Sequence, residues 1–227
     1  MKRVVLAMLF GLAACGKSGD PTTPAAININ NALGRETVAD PALGNPTTRL
    51  ACLRQSRGLV LIGHRGGPTR NFPPNALETL ERSFEARTHG MEIDVAQTRD
   101  GKLYLVHDDT LERATTGHGA PDSLFWADVQ RLNLRAGKTV TSYHPASLDA
   151  VLGWAVARHA LIELDRKDTT SFEAMADAVH LARAENNVLV VTYIDAQAED
   201  VHAKAADLTI VAAIHSPEQL DRLVKRP

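Results

Sequence analysis

Between residues 147 and 225, short apolar runs alternate with amphipathic segments, and this alternation constrains the fold more than any other feature. Segments 147–158, 171–185, 196–206 and 218–225 carry helix-like periodicity, with Ser147 as an N-cap. The runs between them, 161–164, 188–194 and 208–214, are too short for apolar helices and read as strands. Strands separated by helices lie parallel, in a sheet covered by those helices. The expected class is α/β.

Residues 58–109 follow a different rule. Three apolar runs, 59–62, 91–95 and 103–106, each contain or end in groups able to do acid, base or metal chemistry: His64 with Arg65, Glu92 with Asp94, His107 with Asp108. A helix is predicted over 75–89, with Leu77, Leu80, Phe84 and Ala86 on its apolar face, Pro73 and Pro74 before it and Gly90 closing it. Arg99-Asp100-Gly101-Lys102 is a tight-turn signal between the second and third strands.

Side chains at i and i+2 leave a strand on one face, so Glu92 and Asp94 point the same way. By the same parity Glu163, Asp165 and Lys167 share a face. Carboxylates gathered on one face repel unless a cation lies between them, and hard divalent cations take oxygen ligands of this kind. His64 and His107 both stand where an apolar strand gives way to a polar loop. Two imidazoles either side of a phosphate can take a proton from an attacking hydroxyl and give one to a leaving alcohol. Arg65 offers a planar fork for phosphate oxygens. His89, His159, His180 and His202 fall on predicted helices without zinc-ligand spacing and read as surface residues, and Asp108 and Asp109 read as loop caps.

The motifs HRGG at 64–67, NALET from Asn75, MEIDVAQTRDGKLYLVHDDTLERATTG from Met91 and IEL from Ile162 resemble the glycerophosphodiester phosphodiesterase family. That resemblance implies a TIM (β/α)8-type barrel hydrolysing glycerophosphodiesters to sn-glycerol 3-phosphate and an alcohol. It further implies His64 and His107 as the acid/base pair, Arg65 as a phosphate contact, and Glu92, Asp94 and Glu163 as ligands of Ca²⁺ or Mg²⁺. Two positions depart from the family pattern. Pro73-Pro74-Asn75-Ala76 stands where the family has Pro-Glu-Asn-Thr, and Asp165 replaces a lysine. Lys167, on the same face, is the expected substrate-binding replacement for that lysine. Residues 109–146 form an insertion after the third strand, expected over the site, with Arg113, His118, Trp126 and His144 as its candidate contacts.

Six strands are placed in about 170 residues where ~250 is typical. The barrel is therefore expected to lack its last two strands and to be less stable and less active than a longer relative. The readings weighed beside glycerophosphodiester hydrolysis are a lysophospholipase D-like activity, favoured by apolar residues at 124–126, and a catalytically inactive surface lipoprotein.

Residues 1–14 carry Lys2 and Arg3 followed by an apolar run too short to span a bilayer, as in a secretory signal. Leu12-Ala13-Ala14-Cys15 resembles a bacterial lipoprotein cleavage box, making Cys15 the lipidated N-terminus and placing the protein at the cell envelope, on the periplasmic face of the outer membrane. Residues 15–49, rich in Pro, Thr, Asn and Ala, read as a flexible linker, and 50–227 as the phosphodiesterase domain. Two cysteines exclude a disulfide framework, and a net charge of −2 without basic clusters excludes a nucleic-acid partner. The expected partners are a small-molecule substrate and, through the anchor, a membrane.

Overall fold

The computed structural model describes residues 45–55 and 60–224. The leader 1–14, Cys15, most of the linker and Leu59 lie outside the described residues. In chain order the described elements are α1 (Pro46–Gln55), β1 (Ile62–Gly63), α2 (Leu77–Glu85), β2 (Gly90–Gln97), β3 (Leu103–Leu105), α3 (Trp126–Val129), β4 (Arg135–Ala136), β5 (Thr139–Val140), α4 (Leu148–Arg158), β6 (Ile162–Arg166), α5 (Phe172–Ala182), β7 (Val188–Thr192), α6 (Asp195–Lys204), β8 (Thr209–Ala212) and α7 (Pro217–Val224). Helix α1 starts ahead of the expected boundary at residue 50. No described helix is long and apolar enough to cross a membrane.

The main sheet runs β1-β2-β6-β7-β8, all parallel, and the helices between its strands make it an incomplete (β/α)8 barrel. All six expected strands are present, but β3 pairs antiparallel with β2. The four-residue turn before it leaves no room for the crossover a parallel partner requires. Among the described residues five strands are thus barrel strands, and β3 shares an edge of β2 with β1. β1 pairs at the start of β2, through Gly63 opposite Met91, and β3 at its end, through Leu105 opposite Val95. Continued by a residue or two, both registers bring the segments after β1 and β3 to the middle of β2.

Met91, Ile93 and Val95 alternate onto one face of β2 and pack, with Ile162, Leu164, Val188 and Val190, against the inner faces of α4 and α5. The opposite parity, Glu92 and Asp94, is left for the concave face of the sheet. Ser171 caps α5 by accepting the Ala174 N–H at 3.1 Å, whereas the expected cap Ser147 accepts no backbone N–H of α4 and bonds instead to the Asp149 side chain.

The insertion has its own small core, in which Tyr104, Val106, Leu111 and Val129 pack with Leu124, Trp126 and Leu132 around Ala96. Stacking of Tyr143 on Phe72, with centroids 5.9 Å apart, holds it against the loop that follows β1.

Two local expectations are corrected. Arg87 (φ 70), not Gly90, takes the left-handed position after α2. Gly90 opens β2, where a Cβ would lie 2.9 Å from Ile62 Cδ1. His89 is buried rather than at the surface; its Nδ1 accepts the Leu61 N–H at 3.0 Å, and burial lowers its pKa.

Candidate active site

The HRGG segment forms a tight 3-10 turn directly after β1. Its glycines are required by contact as well as by dihedral angle. Gly66 and Gly67 have φ near +80°, and a Cβ on either would stand 2.8 Å from Leu80 Cδ2 or 2.7 Å from Ser83 Oγ. Ser83 donates to Gly66 O at 2.6 Å, pinning the turn to α2. The turn aims the Arg65 backbone N–H at Glu92 Oε2, 2.7 Å away, and places His64 Nε2 3.8 Å from the same oxygen. Arg65 Nε is buried without a hydrogen-bond partner, 3.6 Å from Asp94 Oδ2.

Asn75 supplies the other half of the frame. It sits in a left-handed conformation (φ 60) that asparagine tolerates better than most residues. Its amide donates to Asp94 Oδ2 at 2.8 Å while its carbonyl oxygen accepts the Asp94 N–H at 3.1 Å. Of the four residues that stand at the family's Pro-Glu-Asn-Thr, Pro74 and Ala76 depart, and the retained asparagine is the one that fixes a carboxylate of the site.

Across the sheet the register sets Glu92 opposite Glu163 and Asp94 opposite Asp165. The result is a block of four acids on one face. Glu92, Asp94 and Asp165 have carboxylate oxygens within 4.8 Å of one another. Lys167 enters the same block, its Nζ 2.5 Å from Asp94 Oδ1 and 2.9 Å from Asp165 Oδ2. Burial works against the Lys167 ammonium, yet the two aspartates outweigh it and raise its pKa. Tyr193, at the end of β7, donates to Asp165 Oδ2 at 2.9 Å.

One lysine does not balance four carboxylates. Burial and then Asp94 push the Glu92 carboxyl up to about 7, and burial alone raises Glu163 to about 6. Glu163 accepts no hydrogen bond among the described residues. An all-oxygen donor set short of positive charge fits a hard divalent cation.

His107 follows β3 and is held by its neighbour, with Nδ1 2.8 Å from Asp108 Oδ1. Arg113 donates to the same oxygen. Burial opposes the Asp108 charge, but Arg113 and His107 prevail and keep its carboxyl below the ordinary range. Asp108 is therefore an orienting group for His107, not the loop cap expected of it. Of the other insertion residues, Trp126 packs beside Tyr104, His144 contacts Leu132 O and His118 is exposed near Glu112.

Every sequence-derived site residue among those described, His64, Arg65, Glu92, Asp94, His107, Glu163 and Lys167, thus lies on β2 or β6 or in the segments that follow β1, β3 and β6; Cys15 lies outside the described residues. Asn75 and Tyr193 were not assigned a role from sequence, and Asp108 only that of a loop cap. Tyr193 had one available signal, its position at the C-terminal end of a strand.

Comparison with known proteins agrees with this geometry. The Glycerophosphoryl diester phosphodiesterase family pattern matches residues 64–222. An uncharacterised Bacillus subtilis protein, YqiK, is 30% identical over 59% of this chain and 57% of its own length. A glycerophosphodiester phosphodiesterase from Caldanaerobacter subterraneus is 34% identical over 33% of this chain and 30% of its own. Among solved structures, a Parabacteroides distasonis glycerophosphoryl diester phosphodiesterase superposes with a TM-score of 0.67 at 29% identity, covering 71% of this chain and 56% of the other. An Oleispira antarctica phosphodiesterase, solved with its product sn-glycerol-3-phosphate, gives a TM-score of 0.60 at 22% identity, covering 73% and 72%. The chain spans little more than half the length of YqiK and of the Parabacteroides enzyme. Motif order, barrel face and fold all place it in one family: this chain is a member of the glycerophosphoryl diester phosphodiesterase family.

Proposed function

We propose that this chain hydrolyses glycerophosphodiesters to sn-glycerol 3-phosphate and an alcohol. The observation that carries the reading is the convergence of the segments bearing His64 and His107 on the middle of β2, beside a buried carboxylate block. Arg65, its Nε turned to Asp94, offers the rest of its guanidinium to a non-bridging phosphoryl oxygen. His64, beside Glu92, accepts the proton of the attacking hydroxyl as its oxygen bonds to phosphorus. His107, with Nδ1 turned to Asp108, presents Nε2 and delivers a proton to the departing alcohol oxygen as the P–O bond breaks; water then opens the cyclic phosphate left by attack of the glycerol hydroxyl, with the two histidines in exchanged roles, to give glycerol 3-phosphate.

Glu92, Asp94 and Glu163 would hold the divalent cation, Ca²⁺ or Mg²⁺. Asp165 is the weaker third ligand, because Lys167 and Tyr193 already occupy its oxygens. When bound, the cation supplies positive charge to the phosphoryl oxygens and acidifies the attacking hydroxyl.

The lysophospholipase D-like alternative is kept apart by substrate: Leu124 and Trp126 are partly buried against the insertion's core, Phe125 is exposed with Arg99 over its ring, and comparing acylated with deacylated substrates separates the two activities. Release of sn-glycerol 3-phosphate from glycerophosphocholine and glycerophosphoglycerol, with and without Ca²⁺ or Mg²⁺, tests the activity. Metal-dependent release that H64A and H107A each reduce by about 10² or more is expected. A folded chain that releases none is either the inactive lipoprotein or an enzyme for a lipid substrate, which turnover of a lysophospholipid distinguishes.

The envelope location is a separate part of the proposal, resting on Leu12-Ala13-Ala14-Cys15. Cys15→Ser should move the protein from the membrane to the soluble fraction, and unchanged partitioning rejects the anchor.

A further inference from the structure

Beyond His107 the site continues into a cavity of about 60 Å³ between the loop after β1, the end of β3 and the β4–β5 hairpin. The volume suits a small polar group rather than an acyl chain. Arg65 and His107 line one part of its wall, and the insertion contributes Arg113 and Arg135. Arg113 is paired with Asp108 and Arg65 with Asp94, so among the described residues of the lining Arg135 is the guanidinium with no carboxylate beside it.

Arg135 is the informative member. Its backbone N–H donates to Ala114 O at 2.8 Å and its Nε to Thr115 O at 2.7 Å, which fixes the half-buried side chain at its root. Its two terminal nitrogens make no hydrogen bond among the described residues. A rooted guanidinium with an unused fork is suited to a planar or tetrahedral anion. No Phe, Tyr or Trp ring lines the cavity, and a quaternary ammonium such as choline is recognised by such rings.

From this geometry we infer that the insertion builds a leaving-group pocket selecting glycerophosphodiesters whose alcohol carries a second anionic group, with Arg135 as the specificity-determining residue. The inference rests on the phosphodiesterase reading above. It names the substrate class, an alcohol bearing a further phosphate or phosphodiester.

The test compares bis(glycerophospho)glycerol, whose departing alcohol carries a second phosphodiester, with glycerophosphocholine, using the full chain with divalent cation. The wild type should favour the dianion in kcat/KM by about tenfold, and added salt should reduce that preference. Arg135→Gln should bring the ratio close to one, mainly through KM for the dianion. Arg135→Lys, which keeps the charge but not the fork, should retain an intermediate ratio. Equal kcat/KM for the two substrates, or an R135Q variant with the wild-type ratio, overturns the inference.

If neither substrate turns over in a chain that melts cooperatively, the phosphodiesterase reading fails and calorimetric titration with bis(glycerophospho)glycerol decides the pocket alone. Wild-type binding that R135Q loses supports it. Equal binding by both, or none by either, overturns it.

Discussion

Lys167 Nζ stands 2.5 Å from Asp94 Oδ1, so the lysine directly after β6 reaches back to the central carboxylate of β2. The family's lysine position is Asp165 here, and Asp165 holds the same ammonium at 2.9 Å. The charge has moved two residues along the chain while remaining at the barrel face. Lys167→Ala would leave Asp94, which is buried, facing Asp165 with no cation between them. Breaking a buried pair in this way should destabilise the fold by about 3 kcal/mol, measured by urea unfolding. The double substitution Asp165→Asn with Lys167→Met should recover part of that loss, and an equal loss would show that the lysine's packing, not its charge, matters.

Stability should depend on pH in a direction opposite to that of ordinary surface carboxylates. Glu92 titrates near 7 and Glu163 near 6 in the folded chain, both raised from the ordinary 4.5. A raised folded-state value means that the native state binds the proton more tightly. The stabilisation is complete below pH 4.5 and is lost as pH rises through about 6 to 7. For Glu92 it is on the order of 3 kcal/mol. Metal-free protein should therefore melt at a lower temperature at pH 7.5 than at pH 5, and Glu92→Gln should flatten that dependence. Saturating divalent cation should restore stability at pH 7.5, by about 2.7 kcal/mol at a hundredfold excess over Kd.

Two substitutions separate the third ligand. Glu163→Gln should weaken Ca²⁺ or Mg²⁺ binding in calorimetry by about tenfold or more, as loss of an anionic oxygen ligand requires. Asp165→Asn should instead disturb Lys167 and leave most of the affinity. The reverse order of effects would transfer the ligand role to Asp165.

Asn75→Ala removes both bonds to Asp94 and puts a less tolerant residue at φ 60. An unsatisfied buried carboxylate oxygen and N–H should cost about 2 kcal/mol or more in unfolding free energy. Cation affinity should fall with it, because Asp94 loses its fixed orientation. Full affinity in a folded N75A chain would mean that Arg65 and Lys167 suffice to hold Asp94.

Much of this site was legible because strand parity is strict. Glu92 with Asp94, and Glu163 with Asp165 and Lys167, had to share faces wherever their strands paired. Register is a tertiary property, so nothing local said that Asp94 would lie opposite Asp165 and take hold of Lys167. The direction of β3 could have been read from Arg99-Asp100-Gly101-Lys102, since a turn that short permits only an antiparallel return. His89 was misplaced because the helical pattern ran through it; the helix ends at Glu85 and the chain turns inward to give His89 a backbone partner at Leu61. The insertion carries no periodicity, because its fold depends on contacts such as Phe72 with Tyr143 and Tyr104 with Trp126.

The pairing of His107 with Asp108 gives the last prediction. Asp108 takes His107 Nδ1 at 2.8 Å, and Arg113, from the insertion, takes the same oxygen. Fixing Nδ1 as the donor commits Nε2 to the substrate, so Asp108 positions the ring without touching the reacting atoms. Asp108→Asn can still occupy the space but can turn its amide toward Nδ1 and favour the other tautomer. It should lower kcat by about 10² with little change in KM, and shift the pH profile of kcat, since the general acid is held differently. Arg113→Gln removes only the outer contact and should cost kcat far less. A structural role for Asp108 would instead appear as a lower melting temperature with an unchanged pH profile in the surviving activity, and that result would return Asp108 to the loop.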